Sequence, residues 1–428
     1  MVALYRITSL GLLLLGVGAL AVAVVITPPM MRRYILVDPQ LQSSTTIVQM
    51  YAAASAALLA TIALGWAARS LWRRARRGSA RRFAFASVSI VFSLVVTLAT
   101  AEVAARVLVD AKSLLTGDDY WVQRWHDEHH SPSAGDTLMG TYTIDQYDSE
   151  LGWVPKPGYR SPELNINSRG LRGLRERPPT KALGHRRIVA VGDSFTFGED
   201  VADHDVYTEV LESLLDDVSV INLGVHGYGT DQQYLRLKRE GFAWAPDLVI
   251  LGFYLRDDAR NLLSFRGYAK PVFRIKHGQL ILHNVPIPPQ EQIPSVYSEV
   301  RSPRCYLWAL ANKAWTLVVE RTVFSEKWTV TGGILDAIAE STREQGARLL
   351  LVSIPEAASE YRPETEVFLQ QWATNRGVVF LNLREVFLEL GDKQRGQLYD
   401  GHWTPTGHAV AAAAIYDTII RERLLPER

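Results

Sequence analysis

The sequence predicts an N-terminal three-helix transmembrane anchor followed by a three-layer α/β domain with a central parallel sheet. Three observations carry this expectation. Three uncharged apolar runs lie before residue 110, a loop whose only charges are arginines joins the last two, and beyond residue 187 short apolar runs alternate with helical patterns. The chain has 428 residues, one cysteine and a formal net charge of +1. Cys305 alone excludes an intrachain disulfide and a cysteine-based zinc cluster, and 10% aromatic residues exclude a wholly disordered chain. The near-neutral total hides segregated charge. Residues 1–68 carry +2 and residues 69–82 carry +7, which leaves everything from Phe83 onward at −8.

A bilayer core needs about 20 mostly apolar helical residues. Ile7 to Ile26 meets this and ends at Thr27-Pro28-Pro29; Ile47 to Ala68 is a second such run. Phe83 to Ala101 is a third, stopped by Glu102 and Arg106, so that this span closes by about residue 103. A cleaved signal peptide is the rival for the first run, but Pro28, Pro29 and Met30 stand where small residues should precede cleavage, and two more spans follow. Basic residues in short loops set orientation. The loop between the second and third spans holds seven arginines and no acid, whereas Arg32, Arg33 and Asp38 are the charges between the first and second. The arginine loop is therefore expected in the cytoplasm, with the N-terminus, and everything after Val109 is expected outside. A 14-residue loop pinned between spans has little room to wrap a nucleic-acid duplex, and the acidity of the rest makes nucleic acid an unsuitable partner. The bilayer itself is the expected partner, Arg32 and Arg33 meeting its head groups.

From Asp110 to about Arg186 the chain reads as an irregular connecting segment rich in Pro, Gly and Ser. After it, strands are expected at Arg187–Val191, Ser219–Asn222, Leu248–Tyr254, Arg348–Ile354 and Val378–Leu381. Helices are expected at Tyr207–Leu215, Thr230–Phe242, Gly333–Glu344, Glu364–Thr374 and Thr406–Arg423. Strands apolar on both faces, alternating with helices, mark a parallel sheet covered on both sides. An insertion over about 262–330 lacks that rhythm, except for a hairpin at Phe273–His277 and Leu280–Leu282 turned at Gly278. It would either rim the site or form a surface excursion.

Ligands of open α/β sheets bind beyond the carboxyl ends of the strands. That rule selects Gly192-Asp193-Ser194-Phe195, Asn222 to Gly227, Arg256-Asp257-Asp258, and Asp400-Gly401-His402-Trp403 before the last helix. A serine hydroxyl becomes a competent nucleophile when an imidazole takes its proton and a carboxylate holds the imidazole's tautomer. Ser194 is the expected nucleophile, His402 the base and Asp400 the orienting acid. The backbone amides of Ser194 and Gly227 are the expected oxyanion donors, with Gly192 permitting a tight turn. Asp193 is either a cap or a site-shaping group.

These residues resemble the GDSL, or SGNH, hydrolases, esterases and acyltransferases named for four sequence blocks. Val191-Gly192-Asp193-Ser194-Phe195 is similar to the first block, Asn222–Gly227 to the second, and Asp400-Gly401-His402 to the last in its Asp-x-His spacing. The resemblance covers about residues 187–423 and implies a flavodoxin-like α/β domain over 187–428, with Gly227 giving an oxyanion amide. One departure stands out. The third block normally supplies an Asn side chain to the oxyanion, and here that place falls on Arg256 or, with a one-residue shift, Asp257. Arg256 is the favoured donor, since an ionised aspartate would repel an oxyanion. The absence of a Gly-x-Ser-x-Gly elbow argues against an ordinary α/β-hydrolase.

Bland readings compete at several positions. Ser194 alone would be a plain N-cap, and His402 a packed loop histidine. His408 is a rival base but lacks an aspartate two residues before it. His126-Asp127-Glu128-His129-His130 gathers metal-ligand types on composition alone and is expected to be a solvated loop. The sequence thus points to a membrane-anchored, extracytoplasmic serine esterase with no metal and no organic cofactor, acting on acylated glycans or lipids of the envelope. The alternatives are an O-acyltransferase working with a membrane acyl-donor partner and a non-catalytic binding protein on the same fold.

Overall fold

A computed structural model of the chain describes residues 62, 66, 80–129, 144–298, 303–319, 326–355, 357 and 362–427. The expected first and second spans lie outside the described residues, apart from two positions that are helical. The described chain forms two compact units, one of residues 1–116 with 301–319, the other of residues 117–300 with 320–428.

In the first unit, α1 (Ala80–Leu108) contains the third expected span. Among the described residues, Val91–Leu108 is the one stretch long and apolar enough to cross a membrane. Its Val91, Phe92, Val95, Val103 and Val107 side chains are exposed. A second helix of this unit, Tyr306–Val319, departs from the sequence expectation of an unpatterned insertion. The Glu102 carboxylate accepts from its first amides, Tyr306 at 2.9 Å and Leu307 at 3.0 Å. These donors are ones a helix start leaves unsatisfied.

The second unit is built on five parallel strands: β3 (Arg186–Val191), β4 (Val218–Asn222), β5 (Leu248–Tyr254), β10 (Arg348–Ile354) and β11 (Val379–Asn382). Their spatial order is β11-β10-β5-β3-β4, the doubly wound arrangement of flavodoxin-like folds. Alternate side chains of a strand point to opposite faces, and here both sets are apolar. Ile188, Ala190, Ile250 and Leu350 pack with Tyr207 and Leu211 of helix Tyr207–Leu214 and with Ile415 and Ile419 of helix Pro405–Arg421. Val189, Val191, Val249 and Leu351 pack on the other side with Ile334 and Ile338 of helix Glu326–Glu344 and Leu369 of helix Pro363–Arg376. The expected helix Thr230–Phe242 is α-helical over Thr230–Arg236 and continues as a π turn, Leu237–Gly241, before a last 3₁₀ turn.

The connecting segment is more ordered than its composition implies. It holds a helix, Gly117–His129, and a hairpin of β1 (Asp145–Asp148) with β2 (Gly152–Pro155). Trp125, Leu151 and Trp153 join Val225, Tyr228, Phe265 and Tyr268 in one buried cluster. The expected solvated loop at 126–129 is therefore the end of a helix: His126 is buried with Nε2 2.7 Å from the Tyr297 carbonyl, and His129 stacks on Trp125. His130 lies outside the described residues. In the insertion, β6 (Phe265–Arg266) pairs with β7 (Tyr268–Ala269), and β8 (Val272–Lys276) with β9 (Gln279–His283), turned at His277 and Gly278 as the sequence predicts.

Candidate active site

Four segments converge at the carboxyl edge of β3 and β5. The first begins with a turn so tight that a Cβ on Gly192 would sit 2.0 Å from Thr196 Oγ1, which explains the glycine. A four-residue helix, Ser194–Phe197, follows, and Asp193 caps it by accepting from the Phe195 amide at 3.1 Å. The second Asp193 oxygen takes the Arg260 guanidinium at 2.8 Å. Capping and site-shaping are thus two halves of one fully buried carboxylate. Gly198, at φ +85°, ends the helix, and Gly198 and Glu199 amides both return to the Ser194 carbonyl. That reversal carries Glu199 and Asp200 back toward the serine.

His402 stands on a two-stranded ribbon of Tyr399–Asp400 with His402–Trp403. Its Nε2 is 3.0 Å from Ser194 Oγ, and its Nδ1 is 2.8 Å from Asp200 Oδ2. Phe195 meets the imidazole edge to face at 5.2 Å. The sequence assignment of Asp400 as the orienting acid is corrected here. Asp400 pairs with His402 across the ribbon through backbone and lies exposed, while the carboxylate on Nδ1 belongs to Asp200. The physical reason is local. Asp200 adopts a left-handed backbone, φ +67°, a conformation that aspartate tolerates better than most residues, and this turn points the carboxylate at the ring. The sequence signal for it is Gly198 followed by two acids, a helix stop that folds the chain back on its own start.

His408 is excluded as a base by the same geometry. It is fully buried, its Nδ1 accepts from the Tyr207 amide at 3.2 Å, and burial pushes its pKa down to about 3. It is a neutral packing group.

The second block lies against the first. Asn222 Nδ2 donates to the Thr196 carbonyl at 2.7 Å, and a Cβ on Gly224 would lie 2.3 Å from the Phe197 nitrogen. Gly227 has φ +76°, a conformation that glycine adopts without penalty. Next to it, the buried His226 shares a 2.5 Å contact with Asp145 of β1, which ties the connecting hairpin to this block.

The third block is rebuilt around arginine. Arg256 occupies the cap position of the short helix Asp257–Arg260 and is half-buried. Asp257 is fully buried and accepts from Thr230 at 3.2 Å, Gln233 at 3.1 Å and Arg260 at 3.2 Å. Burial, opposed by Arg260 and reinforced by Asp193, pushes its carboxyl up to about 8. Burial thus works against an anion at this position, while Arg260 works for one. Burial alone would lower the Arg260 guanidinium, but Asp257 and Asp193 more than reverse this. The arrangement brings Ser194, His402, Gly192, Asp193, Gly227 and Arg256 to one sheet edge, adds Asp200 and Arg260, and sets Asp400 aside.

A family model described as GDSL-like lipase/acylhydrolase matches residues 190–410. No curated protein matches the chain. Among solved structures, the chain is similar to a lipase/acylhydrolase from Enterococcus faecalis, at 17% identity over 57% of this chain and 99% of the other, with a TM-score of 0.35. It is similar to a member of the lipolytic G-D-S-L family from Veillonella parvula, at 12% identity over 55% and 99%, TM-score 0.35. An acetylxylan esterase from Geobacillus stearothermophilus shares 15% identity over 56% and 96%, TM-score 0.34.

Proposed function

The chain belongs to the GDSL-like lipase/acylhydrolase family, and we propose that it is a membrane-anchored, extracytoplasmic serine esterase that removes acyl groups from envelope or exported glycans or lipids. It is a hydrolase of ester bonds. The observation that carries the mechanism is the unbroken relay Ser194 Oγ, His402 Nε2, His402 Nδ1, Asp200 Oδ2, with contacts of 3.0 and 2.8 Å. Asp200 holds the tautomer in which Nδ1 carries the proton, so Nε2 is free to accept one. Ser194 Oγ attacks the ester carbonyl as its proton passes to Nε2. The amides of Ser194 and Gly227 take the developing oxyanion, with Arg256 as a third donor in place of the usual Asn side chain. His402 then returns the proton to the leaving alcohol, and a water activated by the same imidazole cleaves the acyl-enzyme.

The extracytoplasmic placement rests on the arginine loop at residues 69–82 and the apolar runs around it. A reporter active only in the cytoplasm, fused after Arg428, should stay silent; activity there would reverse the topology. For the chemistry, a fluorophosphonate probe should label the wild-type protein and not Ser194→Ala. No serine-dependent adduct, together with no hydrolysis of phenyl acetate, would sink the esterase reading.

A further inference from the structure

Buried cations in this domain are generally matched. Arg172 meets Asp203 at 2.7 Å, Arg260 meets Asp193 and Asp257, Lys327 meets Asp258 at 3.0 Å, Arg384 meets Glu366 at 2.6 Å, and Lys270 pairs with Asp231. The Arg187 guanidinium has no carboxylate in contact, but its two terminal nitrogens donate to the carbonyls of Pro178, Pro179 and Trp244. Arg266 departs from this pattern. Half-buried on β6, it makes one hydrogen bond, from NH1 to the Gly227 carbonyl at 3.0 Å, and lies over the Trp121 ring at 5.1 Å. Among the described residues no carboxylate is within ion-pair distance of it. Among the described residues its Nε and second terminal nitrogen make no hydrogen bond.

Its position is fixed rather than incidental. Asp118 holds the preceding backbone, accepting from the Ser264 amide at 2.8 Å and the Phe265 amide at 3.1 Å, and Phe265 is fully buried. The carbonyl that Arg266 binds belongs to the second-block glycine. The next carbonyl, Tyr228, shares Arg260 NH1 (3.2 Å) with the carboxylate of Asp193, the residue before Ser194. Arg266 therefore stands one hydrogen bond from the oxyanion glycine and within two side chains of the nucleophile. Its guanidinium has no carboxylate in contact among the described residues. Asp193 is already bound by Arg260; burial and then Arg260 lower the Arg266 pKa to about 9, against the pull of the more distant Asp193 and Asp257. A planar guanidinium with open donors suits a carboxylate or phosphate bidentately.

We propose that Arg266 is a specificity-determining residue that selects esters bearing an anionic oxygen group, carboxylate or phosphate, close to the scissile bond. This rests on the esterase reading of the same site. Three soluble esters test it on the full-length protein: phenyl acetate, which is neutral, and 4-acetoxybenzoate and phenyl hydrogen succinate, which put a carboxylate on the alcohol and acyl side respectively. In Arg266→Gln, kcat/KM for at least one charged ester should fall about 10- to 100-fold further than for phenyl acetate, and Arg266→Lys should recover part of that loss. 4-Acetoxyphenyl phosphate, used in place of the benzoate, tells a phosphate source from a sugar-acid source by which ester suffers the larger loss. An equal fall on all the esters, or no fall, overturns the proposal. Binding of 4-acetoxybenzoate to the Ser194→Ala protein reads the same contact without turnover. If Arg266→Gln weakens it tenfold while no ester is hydrolysed by wild type, the esterase reading fails and this one stands; if nothing binds and nothing is hydrolysed, both fail.

Discussion

Two turns follow adjacent strands of the sheet and end in helices of the same length, Ser194–Phe197 after β3 and Asp257–Arg260 after β5. Both are acidic and both sit where an open sheet places its chemistry. In the first, the polar groups are left available: Ser194 faces His402, and Asp200 is an exposed carboxylate committed to one imidazole nitrogen. In the second, the carboxylates turn inward. Asp257 is occupied by Thr230, Gln233 and Arg260, and Asp258 by Lys327 and Thr365. Position at the strand end gives a residue the opportunity for catalysis. Whether its hydrogen-bonding capacity is already satisfied from within decides whether it acts or supports.

The contrast breaks most sharply at the relay. His402→Ala should lower kcat by about a millionfold, as removal of a triad base does when the rest of the unit cannot substitute. The orienting acid separates the structure from the sequence expectation. Asp200→Asn should cost about 10²- to 10⁴-fold in kcat, the lower end reflecting its exposure to water, whereas Asp400→Asn should change kcat by about twofold or less. Side-by-side steady-state kinetics on phenyl acetate decide it: a larger loss at Asp400 would return the orienting role to the last block.

Asp193 is where the two turns are joined, and its effect should be read in stability as well as rate. Asp193→Ala removes the cap of the nucleophile helix and leaves Arg260 with Asp257 alone, a carboxyl whose pKa burial raises. Breaking a buried ion pair from one side costs about 3–5 kcal/mol. Urea unfolding should show that loss, and Arg260→Met should cost a comparable amount because it strands the buried Asp193 carboxylate instead. Equal midpoints for wild type and Asp193→Ala would mean that the pair is not formed.

The sheet was largely legible because its strands advertise themselves. LVILGFY and RLLLVSI are apolar on both faces, and β5 and β10 begin and end at the residues expected from sequence. The closeness of Ser194 and His402 was legible in part: Ser194 follows a strand of the sheet, whereas His402 stands on a separate ribbon before the last helix and was matched by its Asp-x-His motif. Asp200 was not legible. Its role depends on a left-handed residue after a left-handed glycine, a path that residue types permit without dictating. Helix Gly117–His129 was hidden because polar residues dominate it and its buried side, Val122, Trp125 and His126, is narrow. Arg266 was hidden because its surroundings, the Trp121 ring and the Gly227 carbonyl, are brought to it by the fold from distant segments.

A pH dependence sharpens the second turn. Asp257 has a folded pKa of about 8 against an ordinary value of 3.8, burial being the main cause. An acid whose pKa is raised on folding keeps its proton in the native state while the unfolded chain has lost it. Its contribution is thus fully present below about pH 4 and is lost as pH rises through about 8. Wild-type stability should accordingly decline across that window by an increment that Asp257→Asn does not show, since the amide never ionises. Urea midpoints of the two proteins at pH 5.5 and 8.5 measure it: the difference between them should shift in favour of Asp257→Asn at the higher pH. A difference that is constant with pH would mean that Asp257 is ionised in the native state, paired fully with Arg260, and that the second turn carries as much charge as the first.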